Sequence, residues 1–269
     1  MRIGESTFVS LGENCLIDEI LKDSNLRTAT YPFGSGRFNI EYILGICKEE
    51  FKHFLDDQFL YYATVENKIV VKNNFYKCKH NIYEPSVCHD VEFTHHDVFK
   101  PNVKESFLRK IERFKHATDQ PSEYVFMYYH RLSNNTNIET IKALLKDWAD
   151  WIELKSLIKP KIVFIHQKLI ENKEERKVSV QEFSCGKEVI FYTLDVWSGA
   201  ELWAAAKDRD LFNSFLNSKE ILKWIYGRNW PLILINRNLR KFQINLNSLV
   251  NHLKSLSQTL LKSIGLKSK

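Results

Sequence analysis

The spacing of apolar residues along the chain predicts strands that alternate with helices. Apolar runs, which are typical of strands buried on both faces of a sheet, occur at residues 8–11, 124–130, 161–166 and 188–197. Apolar residues that recur every three or four positions predict helices over residues 13–22, 39–55, 104–115, 138–157 and 200–216. Two further strands flank a turn at Glu66 and Asn67. This alternation predicts an α/β fold with a mostly parallel sheet and helices on both faces.

Polar, chemically capable residues follow four of the predicted strands. They are Gly12-Glu13-Asn14-Cys15, His130-Arg131, His166-Gln167 and Asp195. In open α/β sheets, ligands bind beyond the carboxyl ends of the strands. The sequence therefore predicts an active site at this edge of the sheet.

Cys15 stands at the first turn of a predicted helix, directly after the first strand. A thiol attacks as its thiolate, and the amides of a helix N-terminus lower a thiol pKa. Gly12 permits a tight turn, and the amides of this segment with the Asn14 side chain would form an oxyanion hole. The pattern alone leaves open a second interpretation, in which Cys15 is a small buried core residue.

The first strand and helix resemble the N-terminal signature of a bacterial family labelled putative papain-like cysteine peptidases. The family shares a Ser-Leu-Gly-x-Asn-Cys start, a Leu-Arg pair and a Pro-Phe-Asp-Trp segment, and "FTHHDVF" (93–99) resembles its His-rich segment. The corresponding residues here are Ser10, Leu11, Gly12, Asn14, Cys15, Leu26, Arg27, Pro32 and Phe33. Gly34-Ser35 stands where the family has Asp-Trp, so the role of that acid is absent or filled elsewhere.

The Asn-Cys start is also similar to that of capsule-biosynthesis acetyltransferases with a Gly-Asn-Cys motif. That similarity implies acyl transfer from a thioester, such as acetyl-coenzyme A, to a sugar hydroxyl. We also expect a substrate-binding role for several residues near the predicted site, namely Ser10, Arg27, His95, Arg131 and Trp197.

A cysteine nucleophile needs a base, usually a histidine that a third polar group orients. His96, with Asp97 beside it, is the preferred base because the family resemblance covers this segment. His130 is the alternative, from its position at a strand end. Asp195 is the best distant acid to orient a histidine, although it would equally cap the next helix.

The segment "CKHNIYEPSVCH" offers Cys78, His80, Cys88 and His89 as metal ligands. Their spacings are tighter than those of structural zinc sites. We therefore expect an ordinary polar loop and no metal.

Charge divides the 269-residue chain into two parts. After Glu220 there are nine basic residues and no acidic one, although the whole chain has a net charge of +6. Leucines at helical spacing between Leu246 and Leu260 predict a basic amphipathic helix. We expect a catalytic domain over 1–220 and a helical appendage over 221–269. The appendage would dock on the domain, pair with another copy, or contact an anionic membrane through 240–269.

The remaining composition favours a cytoplasmic enzyme. Five irregularly spaced cysteines suggest reduced thiols, and no signal-peptide pattern, bilayer-spanning run or nucleic-acid-binding module is evident. The preferred hypothesis is a cysteine-dependent acyltransferase that acts on a small molecule or a polysaccharide during surface-polysaccharide biosynthesis. A papain-like peptidase or other thiol hydrolase is the first alternative. A non-catalytic carbohydrate-binding or assembly protein is the second.

Overall fold

A five-stranded sheet with the order β1-β5-β6-β8-β7 lies at the centre of the structure. The computed structural model describes residues 6–197 and 207–235. The strands of this sheet are β1 Thr7–Gly12, β5 Tyr124–Tyr129, β6 Lys161–Leu169, β7 Lys177–Phe183 and β8 Gly186–Thr193. Three neighbouring pairs are parallel, and β7 runs antiparallel to β8 at one edge. The predicted α/β fold with a mostly parallel sheet is confirmed.

Helices cover both faces of this sheet. The helices are α1 Leu16–Asp23, α2 Ile40–Lys48, α3 Pro85–Cys88, α4 Pro101–Asp119, α5 Ile138–Ser156, α6 Arg209–Leu216 and α7 Lys219–Tyr226. One face carries the largest core, in which residues of α2, α4 and α5 pack against Phe126 and Phe164. On the other face Phe191 of β8 stacks against Phe212 of α6. The burial of these strands on both faces explains why their sequences are continuously apolar.

A smaller sheet holds the segment that carries the predicted histidine base. Its strands are β2 Leu60–Val65, β3 Lys68–Asn73 and β4 Val91–Phe93, all antiparallel. Glu66 and Asn67 both have positive φ angles, as a tight hairpin turn requires, so the predicted hairpin is confirmed. Within β4, the Glu92 carbonyl accepts a hydrogen bond from the Arg37 backbone amide at 2.9 Å. This bond fixes the start of the 93–99 segment beside residues 34–38.

Two strands were missing from the sequence-based prediction. β4 lies within residues 75–97, where the cysteine- and histidine-rich sequence predicts a loop, and its three residues are too few to show a period. Every residue of β7 is exposed or half-buried. An edge strand of this kind lacks the apolar run by which the buried strands were recognised.

The described residues fall into two compact units, 6–216 and 217–235. In the second unit, α7 begins after Ser218, whose hydroxyl accepts the Ile221 amide. Residues 200–206 of the helix predicted over 200–216 lie outside the described residues, and so does the whole of the predicted basic helix of the tail. The division into 1–220 and 221–269 therefore stays a prediction. Within the described ranges, every helix is too short or too polar to cross a bilayer.

Gly12 ends β1 in a conformation that only glycine adopts easily. Its φ is +145°, and an added Cβ would lie 2.8 Å from the Tyr129 carbonyl oxygen. We expect Gly12→Ala to lower the free energy of unfolding by about 2–4 kcal/mol, measured by urea denaturation. Gly45→Ala in α2 is the control, because its Cβ would meet only the Tyr76 ring at an ordinary 3.5 Å. Equal losses in both variants would contradict this account.

Candidate active site

The carboxyl end of β1 is tied to the end of β5 by the Glu13 carboxyl group. Glu13 is fully buried. Its Oε1 accepts a hydrogen bond from the Tyr128 hydroxyl at 2.7 Å and lies 2.8 Å from His130 Nδ1. Its Oε2 accepts the Arg131 backbone amide at 3.1 Å. Because Glu13 is two residues before Cys15, this network fixes the backbone that presents the thiol.

His130, the alternative base, belongs to this buried network. Its side chain is fully buried, with Glu13 at Nδ1 and the Thr136 hydroxyl 3.0 Å from Nε2. Both ring nitrogens of His130 therefore already have hydrogen-bond partners within the protein. The Arg131 guanidinium forms an ion pair with the Glu84 carboxylate at 3.2 Å. This ion pair connects the end of β5 to the 84–88 segment.

Cys15 is the N-cap residue of α1 and is half-buried. The Asn14 side-chain oxygen accepts the Leu16 amide at 3.0 Å, which leaves the Asn14 amide group as a hydrogen-bond donor. Burial raises the pKa of Cys15, and the nearby carboxylates of Glu19 and Asp18 raise it further. The lowered pKa expected from the helix N-terminus is therefore wrong. Desolvation is the largest cause, and together with the two acidic residues it outweighs a backbone hydrogen bond that lowers the pKa of Cys15.

Asp18 lies on the same side of α1 as Cys15, one turn further along. Its carboxylate pairs with Arg27 at 2.5 Å. A Cβ added at Gly34 would lie 3.4 Å from Asp18 Oδ1 and 3.5 Å from the Cβ of Ser10. The middle of β1 and the first turn of α1, the helix that Cys15 caps, therefore meet the loop at Gly34.

His96 reaches this region through Ser35. The Ser35 hydroxyl lies 2.9 Å from His96 Nε2, and the imidazole packs edge-on against Phe107 of α4. Burial, and then the positive charges of Lys110 and His95, lower the pKa of His96 to about 4. The imidazole is therefore neutral near pH 7, as a proton acceptor must be.

The site rests as a neutral thiol and a neutral imidazole. The pKa of Cys15 is raised and that of His96 is lowered, so an ion pair between them is disfavoured in the unliganded protein. In the described part of the chain, no hydrogen bond joins Cys15 Sγ to His96. Catalytic hydrogen bonds are often long before substrate binds. The arrangement suits a reaction in which the thiol loses its proton to His96 only as it attacks.

The acids chosen from the sequence lie away from the imidazole. Asp97 accepts the Tyr62 hydroxyl at 3.1 Å and the Phe99 amide at 3.3 Å. The structure places Ser35 beside His96 in the position that Asp97 was expected to fill. Asp195 follows β8, three strands from β1, and pairs with Lys207 at 3.1 Å. It belongs to a different surface cavity of about 240 Å³.

Of the predicted substrate-binding residues, His95 lies at the surface and Trp197 lies in the core. His95 is exposed next to His96. Trp197 is 1% exposed, and its indole donates to Asp208 at 2.9 Å. Its ring packs against Tyr129, so the structure places it in the core rather than in a cleft.

The cysteine- and histidine-rich segment forms hydrogen-bonded contacts with α2. Cys78 Sγ accepts the Asn39 side-chain amide at 2.7 Å, and His80 Nδ1 lies 3.1 Å from Glu41. Within 6–197 and 207–235, no cluster of three or more His, Cys, Asp or Glu side chains has metal-binding geometry.

Sequence reasoning missed Asp18, Ser35 and Lys110 as parts of this region. Asp18 sits on the predicted helix at the spacing i+3 from Cys15, which is a usable signal. Ser35 and Lys110 come from separate segments, and only the tertiary fold brings them to His96 and Asp18.

Comparison with known proteins gives one family. A family model described as "Putative papain-like cysteine peptidase" matches residues 6–178, more than half of the chain. The match includes Cys15 and His96 and ends before Asp195. No curated protein and no solved structure matches the chain.

Removal of the Glu13 carboxyl group tests the network at the strand ends. Glu13→Ala would leave the Tyr128 hydroxyl, the His130 ring and the Arg131 amide without their acceptor. We expect a loss of about 3 kcal/mol or more in the free energy of unfolding. Glu19→Ala is the control, since the Glu19 carboxylate is half-exposed and pairs with Lys22 at the surface. A loss below about 1 kcal/mol in Glu13→Ala would contradict this role.

The protonation state of His96 is directly measurable by NMR. We expect its C2 proton to titrate with a pKa of about 4, with the resonance assigned from the spectrum of His96→Gln. His95→Gln removes the exposed neighbour and is expected to leave His96 neutral at pH 6. Titration of His96 at or above its ordinary pKa of 6.5 would show that the imidazole is not buried as described.

Proposed function

The chain belongs to the family described as putative papain-like cysteine peptidases, and from this premise we propose that it is a thiol hydrolase whose nucleophile is Cys15. The single observation that carries the proposal is the position of Cys15. Its thiol stands beyond the carboxyl end of a parallel strand and at the start of α1, and the family match that includes Cys15 also includes His96.

The reaction begins with a proton transfer. His96 is neutral near pH 7 and accepts the Cys15 proton as Sγ attacks the carbonyl carbon of the substrate. The carbonyl oxygen becomes an oxyanion, which the amides at the start of α1 and the Asn14 side-chain amide stabilise. In this step one S–C bond forms, the carbonyl π electrons move to the oxygen, and the thiol proton moves to the imidazole.

The same histidine completes both halves of the reaction. A low pKa makes the His96 imidazolium a strong acid, so it readily gives its proton to the leaving amine or thiolate. The acyl group is then a thioester on Cys15. Water attacks this thioester while His96 takes its proton, and the carboxylic acid leaves with the thiol restored.

Ser35 is the group that orients His96 in this mechanism. Its hydroxyl is 2.9 Å from Nε2, and the Phe107 ring supports the imidazole from the side. His130 does not suit the role of base, because Glu13 and Thr136 hold both of its nitrogens in the interior. We therefore assign the base to His96 rather than to His130.

Acyl transfer is the second candidate function. The observation that favours it is the parallel α/β sheet with the thiol at its carboxyl edge, where esterase- and acyltransferase-type sheets bind ligands. In that case a sugar hydroxyl of a surface polysaccharide replaces water, and acetyl-coenzyme A supplies the acyl group. Contact of residues 240–269 with an anionic membrane would place the enzyme near such acceptors.

The nucleophile assignment predicts both a pH profile and a covalent adduct. Because the pKa of Cys15 is raised above 9.0, we expect its alkylation by iodoacetamide to accelerate beyond about pH 9 with no plateau near pH 7. An activated acetyl thioester is expected to leave an acetyl group on Cys15, detected by mass spectrometry. Cys15→Ala should lower turnover by about a thousandfold or more.

Cys88→Ser is the matched control, since Cys88 is also half-buried but lies on the 84–88 segment. It is expected to keep the wild-type adduct and rate. Release of acetate supports the hydrolase, whereas acetylation of an added sugar supports the transferase. Absence of any adduct on Cys15 in the folded protein would refute the catalytic role and leave a non-catalytic binding protein.

A further inference from the structure

Two half-buried thiols, those of Cys78 and Cys88, lie next to each other beside the start of α2. Cys78 is the side-chain hydrogen-bond partner of the Cys88 thiol. The Asn39 side-chain nitrogen connects the same two positions. It donates to Cys78 Sγ at 2.7 Å and to the carbonyl of Val87, the residue before Cys88, at 3.2 Å. The two cysteines are therefore neighbours in the fold, although they are ten positions apart in the sequence.

The first turn of α2 holds both cysteines in place. Asn39, the N-cap residue of α2, is fully buried, and its side-chain oxygen accepts the Tyr42 amide at 2.9 Å. The Tyr42 hydroxyl donates to the Cys88 carbonyl at 2.8 Å. Buried groups of one helical turn therefore bind Cys78 through its sulfur and Cys88 through its backbone. Two reacting groups that the fold keeps together in this way react much faster with each other than free groups in solution.

Solvent access distinguishes this pair from the cysteines of the core. Cys47 is 1% exposed and Cys185 is 4% exposed, so a reagent in solution meets them only when the protein opens. Cys78 and Cys88 are both partly exposed, and residues 79–81 between them are exposed. An oxidant therefore has access to the pair in the folded protein.

The surroundings of the pair disfavour its thiolates. Burial is the largest cause of the raised pKa of Cys78 and of Cys88, and the Glu41 carboxylate raises both pKa values further. A stabilised thiolate makes a disulfide easy to reduce, and these thiolates are destabilised. The disulfide, which has no charge, is therefore favoured at equilibrium. Its formation is slow near pH 7, because the attack requires a thiolate.

We propose that Cys78 and Cys88 are a redox modification site, at which a low-molecular-weight disulfide converts the two thiols into a reversible intramolecular disulfide. One thiolate of the pair attacks the small disulfide, so that a mixed disulfide forms and one small thiol leaves. The second thiol of the pair loses its proton and attacks the protein sulfur of the mixed disulfide, which releases the second small thiol. The pair loses two electrons, and the small disulfide is reduced to two thiols. This modification is independent of the reaction assigned above to Cys15.

The disulfide closes the 78–88 segment, which packs against the residues that follow β5. The Tyr83 ring lies 5.9 Å from the His130 ring, measured between their centres, and Glu84 pairs with Arg131 at 3.2 Å. A covalent link across the segment therefore restrains a part of the chain that contacts both residues. We expect the oxidised protein to be more stable than the reduced one, because the link removes freedom from the unfolded chain.

Oxidised glutathione is the probe for this site. The full-length protein is incubated in glutathione buffers with an increasing oxidised share. Free thiols are then blocked with iodoacetamide in denaturant, and linked peptides are identified by mass spectrometry without reduction. We expect a Cys78–Cys88 disulfide that dithiothreitol reverses, while Cys47 and Cys185 remain thiols. The rate of its formation is expected to rise about fivefold or more between pH 7 and pH 8.

Single substitutions show whether each thiol resolves the mixed disulfide of the other. In Cys88→Ser we expect Cys78 to retain glutathione as a mixed disulfide, because the second thiol is missing. Cys78→Ser is expected to retain glutathione on Cys88 for the same reason. Cys185→Ser is the control, and we expect it to form the wild-type disulfide. Oxidation is expected to raise the melting temperature of the wild type by about 3 °C or more, and that of the Cys78 and Cys88 variants by less than about 1 °C.

Three results would overturn the proposal. Wild-type protein that carries glutathione on both Cys78 and Cys88, with no bond between them, would show that the thiols are not placed to react with each other. Oxidation of Cys47 and Cys185 at the same rate as the pair would show that unfolding exposes all four thiols. If the pair stays reduced at pH 8 in the most oxidising buffer, the site is also refuted. None of these results affects the assignment of Cys15 as the nucleophile.

Discussion

The site depends on one buried carboxyl group, that of Glu13. Burial of a carboxyl group is costly unless its oxygens are satisfied, and here both are, by two side chains and one backbone amide. The partners all come from the end of β5, whereas Glu13 itself stands between Gly12 and Cys15. These hydrogen bonds hold the segment after β1 against the end of β5, and they therefore fix the backbone on which the Cys15 thiol is carried. Gly12 completes this constraint, because its positive φ allows the chain to turn away from β5 without a side-chain clash.

Desolvation is the main cause of the ionisation state of Cys15 and of His96. Burial is the largest cause of the pKa shifts of both Cys15 and His96, and it acts in opposite directions because one group gains a negative charge and the other a positive one. Asp18 and Glu19 in the first turn of α1 add to the effect at Cys15. Because the pKa of Cys15 is raised, its thiol is protonated near pH 7 in the unliganded protein. This protonation limits side reactions of Cys15 with oxidants and electrophiles.

The sequence was sufficient for the sheet and for the position of Cys15 between a strand and a helix, and insufficient for the contacts of the other candidate residues. Apolar runs such as residues 124–130 are buried on both faces, so their pattern is independent of distant partners. β7 has no such pattern because it is an exposed edge strand. Cys15 could be chosen because a strand, a glycine and a helix start are local features. The hydrogen-bond partner of His96 could not be chosen, since Ser35 is 61 positions away and only the tertiary fold brings the hydroxyl and the imidazole together. Asp195 was chosen for a strand end, but strand order places β8 far from β1.

The two sheets have a mechanical consequence. Cys15 is attached to the five-stranded sheet, whereas His96 follows β4 of the three-stranded sheet, and the Arg37–Glu92 backbone bridge is a junction between their segments. The two sheets share one hydrophobic core, which contains Phe93 of the small sheet and Phe126 of the large one. The relative position of sulfur and imidazole is therefore a property of that core, and a core substitution where the sheets pack would alter it without touching either group.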